Sequence, residues 1–422
     1  MKKKVSEFMR HPLVSGSSVV FVGFMAASLL NYVFNLAMGR MLSKSDYGVF
    51  ASLVAIFNIL SVFAATITTV FTKFTASYVG QKKEDLIGPL FMKGSFLVGG
   101  IAFLICGTIV IFASNISRFL NITGVLLTNT TAAGLLFAFL ASVSLGILGG
   151  LLKFVYISFL NSFSSLVKLA LGVLLVFWGA RVFGALSAFF LANVFYYLLG
   201  FIPLIRFIKN NKGKNFSIPN LHKNLSLYAL PVFLSSVGVT AFISIDIILV
   251  KHFFDAGTAG QYAALSLMGR AIFYVVSPIT LVLFPLIAQK KERKEKLGGT
   301  LLLSAVLVGI PSIILSTIYF LFPKTVLGVF FPGAGYKMLA SYLGPFSIFI
   351  LFYGLSFLLN SFYLSIGRGK VSFFTIGASI LEILFIVFFH QSLSQIITGL
   401  TVISFLLLLG LLLYYPHIAK TS

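Results

Sequence analysis

The chain has 422 residues, 59% of them hydrophobic and only 9% charged, with a mean hydropathy of +1.06. Soluble domains are roughly 25% charged, so this composition excludes a soluble fold and describes an integral membrane protein. The formal charge of +22 lacks the polar surface that nucleic-acid binding needs; its basic residues are read as topology signals, and no nucleic-acid partner is expected.

The first ten residues are basic and lead into an apolar run from 13 to 37. That run is longer than the core of a signal peptide and lacks a small-residue cleavage site, so it is read as a retained span. A span needs about twenty apolar residues. Twelve stretches qualify, near 13–37, 47–76, 89–113, 125–150, 154–178, 183–207, 225–250, 259–288, 298–321, 337–365, 371–389 and 393–415.

With the N-terminus in the cytoplasm, twenty Lys and Arg fall on the inner side, among them Lys82, Lys83, Lys153, Lys290, Lys291, Arg293, Lys294, Lys296, Arg368 and Lys370. Six fall outside: Arg40, Lys44, Arg118, Arg181, Lys251 and Lys324. This positive-inside bias predicts a multi-pass protein of the cytoplasmic (inner) membrane with both termini cytoplasmic.

A repeat organises the whole. Gly48, Phe50, Ala51 and Leu53 align with Gly260, Tyr262, Ala263 and Leu265 at a spacing of 212, and Gln81-Lys82-Lys83 aligns with Gln289-Lys290-Lys291 at 208. Half the chain length is 211, so the chain reads as duplicated. The expected fold is an all-α membrane protein with twelve transmembrane helices in two six-helix lobes related by pseudo-twofold symmetry. The boundaries are 1–208 for the first lobe, 209–223 for a polar cytosolic linker and 224–422 for the second lobe. Six spans per lobe give both the same topology and an axis along the membrane normal, with a substrate cavity expected between them. Prolines within spans are concentrated in the second half (Pro231, Pro278, Pro285, Pro311, Pro345, against Pro203), which predicts more bending there.

Ionisable groups in hydrocarbon are costly and mark candidate sites. Lys168, Arg270 and Glu382 fall near the midplane, Lys73 and Lys93 nearer the cytoplasm, Asp246 toward the outer end of span seven, and Lys153 at the cytosolic mouth. A cavity lined by Lys168, Arg270, Lys73, Lys93 and Lys153 favours an anionic group such as a phosphate or pyrophosphate. Each has a plainer alternative. Lys73 and Lys93 are long enough to snorkel to headgroups; Glu382 either neutralises Arg270 or Lys168 or serves H+ or Na+ coupling; Asp246 caps backbone or pairs with Lys251. All five histidines lie at interfaces or termini, and neither a Walker motif nor a metal-ligand cluster is present. No catalytic residue, metal or cofactor is expected, and the chain reads as a transporter and not an enzyme.

The run Gly39-Arg40-Met41-Leu42-Ser43-Lys44-Ser45-Asp46-Tyr47-Gly48-Val49-Phe50, and in the second half Ser244-Ile245-Asp246-Ile247-Ile248-Leu249 followed by Ala259-Gly260-Gln261-Tyr262-Ala263-Ala264, resemble polysaccharide flippases of the Wzx type. These belong to the multidrug/oligosaccharidyl-lipid/polysaccharide (MOP) exporter superfamily. The resemblance implies a monomer that moves a lipid-linked oligosaccharide from the cytoplasmic to the outer leaflet by alternating access, in contact with membrane lipids. A cation-coupled exporter of drugs or small solutes is the alternative within transport, and a polytopic glycan polymerase or glycosyltransferase the alternative from another class. Intramembrane carboxylates are scarce for the exporter, and outer loops rich in acids or histidines are lacking for the enzyme.

Overall fold

The computed structural model describes residues 12–209, 233–292, 295–332 and 334–419. The basic N-terminal run, Arg293, Lys294, Pro231 and the linker expected at 209–223, apart from Lys209, lie outside these residues. In hydrocarbon the backbone must satisfy its own hydrogen bonds, and the described residues form helices without a strand.

Twelve long helices follow one another: α1 (Pro12–Met41), α2 (Lys44–Gly80), α3 (Ile87–Ile111), α4 (Leu126–Gly150), α5 (Phe154–Leu175) and α6 (Arg181–Phe201). The second six are α7 (Phe233–Phe242 and Ile245–Phe253), α8 (Ala256–Glu292), α9 (Gly298–Leu321), α10 (Ala340–Ser365), α11 (Ser372–Phe388) and α12 (Leu393–Ala419). Among the described residues nine helical stretches are long and apolar enough to cross a membrane, or ten with the bent α7 pair; one of them, Phe154–Phe207, contains both α5 and α6. This is a multi-pass membrane protein, with one long helix for each expected span.

The duplication is visible in three dimensions. Short helices Ala113–Phe119 and Pro323–Phe330 follow α3 and α9, where the sequence suggested only loops. Burial repeats too: 67% of the apolar window in α4 and 61% of that containing α10 are buried, against 22% for those of α3 and α9. Each half therefore buries its fourth helix far more than its third. No proline stands at the break in α7. Pro311 and Pro345 sit inside α9 and α10, whereas the 43° break in α7 falls at Ile243 and Ser244.

The described residues form two compact units. Unit 1 gathers the chain through Met38, Phe63–Ser117, and Thr123 to the end of α6 with its short extension; unit 2 gathers α7 to α12 together with Gly39–Val62 and Arg118–Ile122. Within unit 1, Gly146 and Gly150 of α4 lie against α2, where a Cβ at either would stand 2.7 Å from a backbone oxygen, Thr68 O or Thr72 O. Small residues four apart allow this close approach between membrane helices.

Within unit 2, Arg40 and Lys44, two of the basic residues expected on the outer side, have structural roles. Arg40 donates to the carbonyls of Val329 and Phe330 at the end of the Pro323–Phe330 helix, satisfying acceptors that a helix terminus leaves open. The Lys44 ammonium lies 5.6 Å from the centre of the Tyr336 ring. At the start of α8, Asp255 accepts hydrogen bonds from the amides of Gly257 (2.9 Å) and Thr258 (3.0 Å). Hydrogen bonding from Thr258 holds its carboxyl below the usual carboxylate range.

Beside this cap the two copies of the repeat touch. A Cβ on Gly48 would stand 3.0 Å from the Gly260 nitrogen, and one on Gly260 would overlap the Lys44 carbonyl. Gly260→Ala is expected to force α2 and α8 apart and lower the thermal unfolding midpoint of the detergent-purified protein. Gly309→Ala, in α9 where the added methyl meets nothing within 4 Å, is expected to leave it unchanged or raise it, since Ala is favoured over Gly in helices by about 1 kcal/mol.

Candidate functional site

Unit 2 holds a buried charge cluster built on the break in α7. Where the helix is interrupted, backbone groups lose their helical partners, and inside a membrane they must find others. Arg270 of α8 donates to the carbonyl of Ile243 at the break, and its guanidinium lies 3.4 Å from Asp246 Oδ1. Asp246 stands in the first turn of the second half-helix, where the helix dipole favours an anion. Its other oxygen accepts a hydrogen bond from Tyr262 Oη at 2.9 Å. The Asp and the Gly-x-Tyr of the two sequence segments thus meet in one ion-paired cluster.

Glu382 belongs to the same cluster. α11 lies close along α7, with Ser379 Oγ donating to Gly238 O at 2.7 Å, and Glu382 sits one turn further on. Both carboxylates are fully buried, while Arg270 is 18% exposed. Among the described residues neither Glu382 oxygen meets a donor in full hydrogen-bond geometry, and the Asp246 amide is near enough to act on it. Two carboxylates therefore face one guanidinium. Arg270 is engaged with Asp246 and the helix break, and the Asp246–Lys251 pairing considered from sequence gives way to Asp246–Arg270.

Unit 1 has the opposite character. Lys168, on α5, donates to Asn31 Oδ1 of α1 and lies 4.9 Å and 4.6 Å from the ring centres of Phe34 and Phe189. Asn31 is itself fixed by bonds from Nδ2 to Ala27 O (2.8 Å) and Ser165 Oγ (3.0 Å). The amide dipole and two aromatic faces stabilise an ammonium, yet Lys168 makes no ion pair among the described residues. The carboxylates among unit 1's described residues are Glu84 and Asp85, in the connection after α2. Lys73 on α2, Lys93 on α3 and Lys153 at the start of α5 are all exposed members of unit 1.

Residues 13–291 match the profile of a family described as "Polysaccharide biosynthesis protein". The chain belongs to that family. An uncharacterized membrane protein of Methanocaldococcus jannaschii is 25% identical over 370 residues, covering 82% of this chain and 83% of that one. Among solved structures, a multidrug resistance MATE family transporter of the MOP superfamily in an inward-facing conformation matches with a TM-score of 0.73 at 16% identity, covering 95% of this chain and 99% of that one. The lipid II flippase MurJ in an inward closed conformation matches at 0.70 and 15%, covering 94% and 87%. At these identities the likeness establishes the fold alone, that of the MOP transporters and flippases.

In this polysaccharide biosynthesis family member, Lys168, Arg270, Asp246 and Glu382 stand out in the sequence as ionisable groups within apolar runs, whereas their neutral partners do not. Asn31, Phe34, Phe189 and Tyr262 are invisible to a count of ionisable groups. A signal for Asn31 was available, because an amide at hydrocarbon depth carries much of the same constraint as a charge. Among the described residues no group of three His, Cys, Asp or Glu could hold a metal ion.

Removing one partner of a buried pair strands the other charge, at a cost of about 3–5 kcal/mol. Arg270→Met is expected to lower the unfolding midpoint strongly, and Arg270→Met with Asp246→Asn to recover part of the loss. Thermal unfolding in detergent measures both.

Proposed function

We propose that this protein is a flippase that moves a polyprenyl-pyrophosphate-linked oligosaccharide from the cytoplasmic to the outer leaflet for cell-surface polysaccharide synthesis. The observation that carries this reading is Lys168, a cation within the apolar helix α5 with no carboxylate partner among the described residues. A structural lysine there would be paired or replaced by an apolar residue, since an uncompensated charge is costly. A ligand that brings its own negative charge removes that cost each time it binds. Membership in a polysaccharide biosynthesis family supports a lipid-linked glycan as that anion, with Lys153, Lys73 and Lys93 as further basic residues of unit 1 on its route and Arg270 tied into the coupling cluster of unit 2. Transport is by alternating access, in a monomer surrounded by lipid.

The surplus carboxylate of unit 2 supports a second feature, ion coupling. With Asp246 paired to Arg270, Glu382 is the group we assign to the coupling ion, H+ or Na+, whose arrival neutralises the cluster and whose departure leaves a buried charge that favours another conformation. The same carboxylate pair is what a cation-coupled drug exporter would need, and that remains the second reading.

Proteoliposomes carrying a fluorophore-labelled polyprenyl-pyrophosphate disaccharide separate the two. Wild-type protein is expected to expose inner-leaflet lipid to an impermeant quencher, and Lys168→Ala to slow exposure by about tenfold or more, the loss of roughly 1.4 kcal/mol or more of binding to the moving species. Absence of movement by the wild-type protein, together with uptake of a cationic dye, would replace the flippase reading with the exporter. Glu382→Gln is expected to abolish stimulation by a proton or sodium gradient while preserving movement without one.

A further inference from the structure

Three helices of unit 1 present neutral polar side chains at matching heights. α1 and α5 lie alongside each other with Gly23 beside Ser162 (Ser162 Oγ to Gly23 O, 2.9 Å) and Asn31 beside Ser165 and Lys168. α6 runs the other way along α5, with Ser164 Oγ bonded to Ala192 O at 3.0 Å and Tyr196 Oη bonded to Asn161 Oδ1 at 3.1 Å. Asn161 and Lys168 are two turns apart on one face of α5, about 10 Å along its axis. Asn161 and Tyr196 form one level, Lys168 with Asn31, Phe34 and Phe189 the next, and Asn193 stands on α6 between Tyr196 and Phe189.

Interhelical hydrogen bonding alone does not explain this set. Polar side chains commonly join membrane helices, and Asn31 and Asn161 do so. Asn193 does not: its amide donates to Phe189 O on its own helix at 2.8 Å, and its carbonyl oxygen accepts no bond among the described residues. Asn35 repeats this on α1, bonding Asn31 O at 2.8 Å. All of these amides are part-exposed and lie within the long apolar helices α1, α5 and α6, and polar groups within a membrane span face protein or water rather than lipid.

The chemistry of the set is specific. Amides and a phenol both donate and accept, as hydroxyl groups do, and among the described residues no charged side chain is bonded to Asn161, Asn193 or Tyr196. A cationic ligand would find no carboxylate on these helices. A hydroxyl-rich neutral group attached to an anion fits both levels at once. We propose that Asn161, Asn193 and Tyr196 form a saccharide subsite that takes the sugar next to the phosphate held at Lys168. This assignment rests on the flippase reading and adds to it the residues that distinguish a glycosylated carrier from a bare one.

The test uses the full-length protein in nanodiscs assembled with a total lipid extract of its source membrane, examined by native mass spectrometry. The wild-type protein is expected to retain polyprenyl phosphates whose masses carry hexose or acetamidohexose increments. Lys168→Ala is expected to lose polyprenyl phosphates with and without sugar. Asn193→Ala and Tyr196→Phe are expected to lose the glycosylated species by about tenfold, the effect of one or two hydrogen bonds, and to keep the sugar-free ones. Retention of glycosylated lipid by both variants at the wild-type level would overturn the subsite and leave the flippase reading standing. Failure of the wild-type protein to retain any polyprenyl phosphate would overturn the flippase reading itself. A purely structural role predicts a lowered unfolding midpoint with unchanged selectivity; Asn193→Leu, which keeps the volume, separates that outcome from loss of recognition.

Discussion

Inside hydrocarbon a polar group that the protein does not satisfy is not satisfied at all, and the break in α7 is where this constraint acts most strongly. Interrupting the helix frees the Ile243 carbonyl, and Arg270 is the donor that takes it. Placing a guanidinium there requires an acid, which Asp246 supplies, and orienting Asp246 takes Tyr262. Glu382 then sits beside a cluster whose one cation is already engaged. Each residue follows from the previous one, so the site amounts to a repaired helix break with one carboxylate left over.

The two units handle charge in opposite ways. Unit 1 keeps a lysine without an acid, cushioned by an amide and two aromatic faces. Unit 2 keeps two acids against one arginine. Neither arrangement is the choice of lowest energy for an inert core, because apolar replacements of buried ion pairs are often neutral or stabilising. Among the described residues, a lysine without an acid in one unit and a surplus acid in the other are what the proposed anionic substrate and coupling ion would complete.

Much of this was legible in the sequence, for reasons that differ between residues. The twelve long helices follow from runs of apolar residues, and the fold class from their number and the repeat. The depth of Lys168 and Glu382 could be counted along a helix. What could not be counted was who stands opposite. Asp246 has Lys251 five residues away in sequence, yet it pairs with Arg270, because the break in α7 turns its side chain toward α8. Arg40 and Lys44 looked like exceptions to a topology rule and prove to cap a helix end and face a tyrosine ring. Proline content points to the second half for bending, and the 43° break in α7 lies there, at Ile243-Ser244, where no proline stands. The neutral amides of α1, α5 and α6 escaped notice because a search for charges does not weigh them.

The contact of Gly48 with Gly260 has a consequence for how such a chain can change. Residues equivalent by duplication touch each other there, as identical residues do across a self-complementary dimer interface. Elsewhere one copy can acquire an acid while its counterpart stays apolar: at the same spacing of 212, Phe34 and Phe50 stand where Asp246 and Tyr262 do. At the glycine crossing that freedom is absent, because a side chain gained by either copy meets the backbone of the other. The crossing ties the evolution of the two copies together, and divergence into different chemical roles proceeds around it.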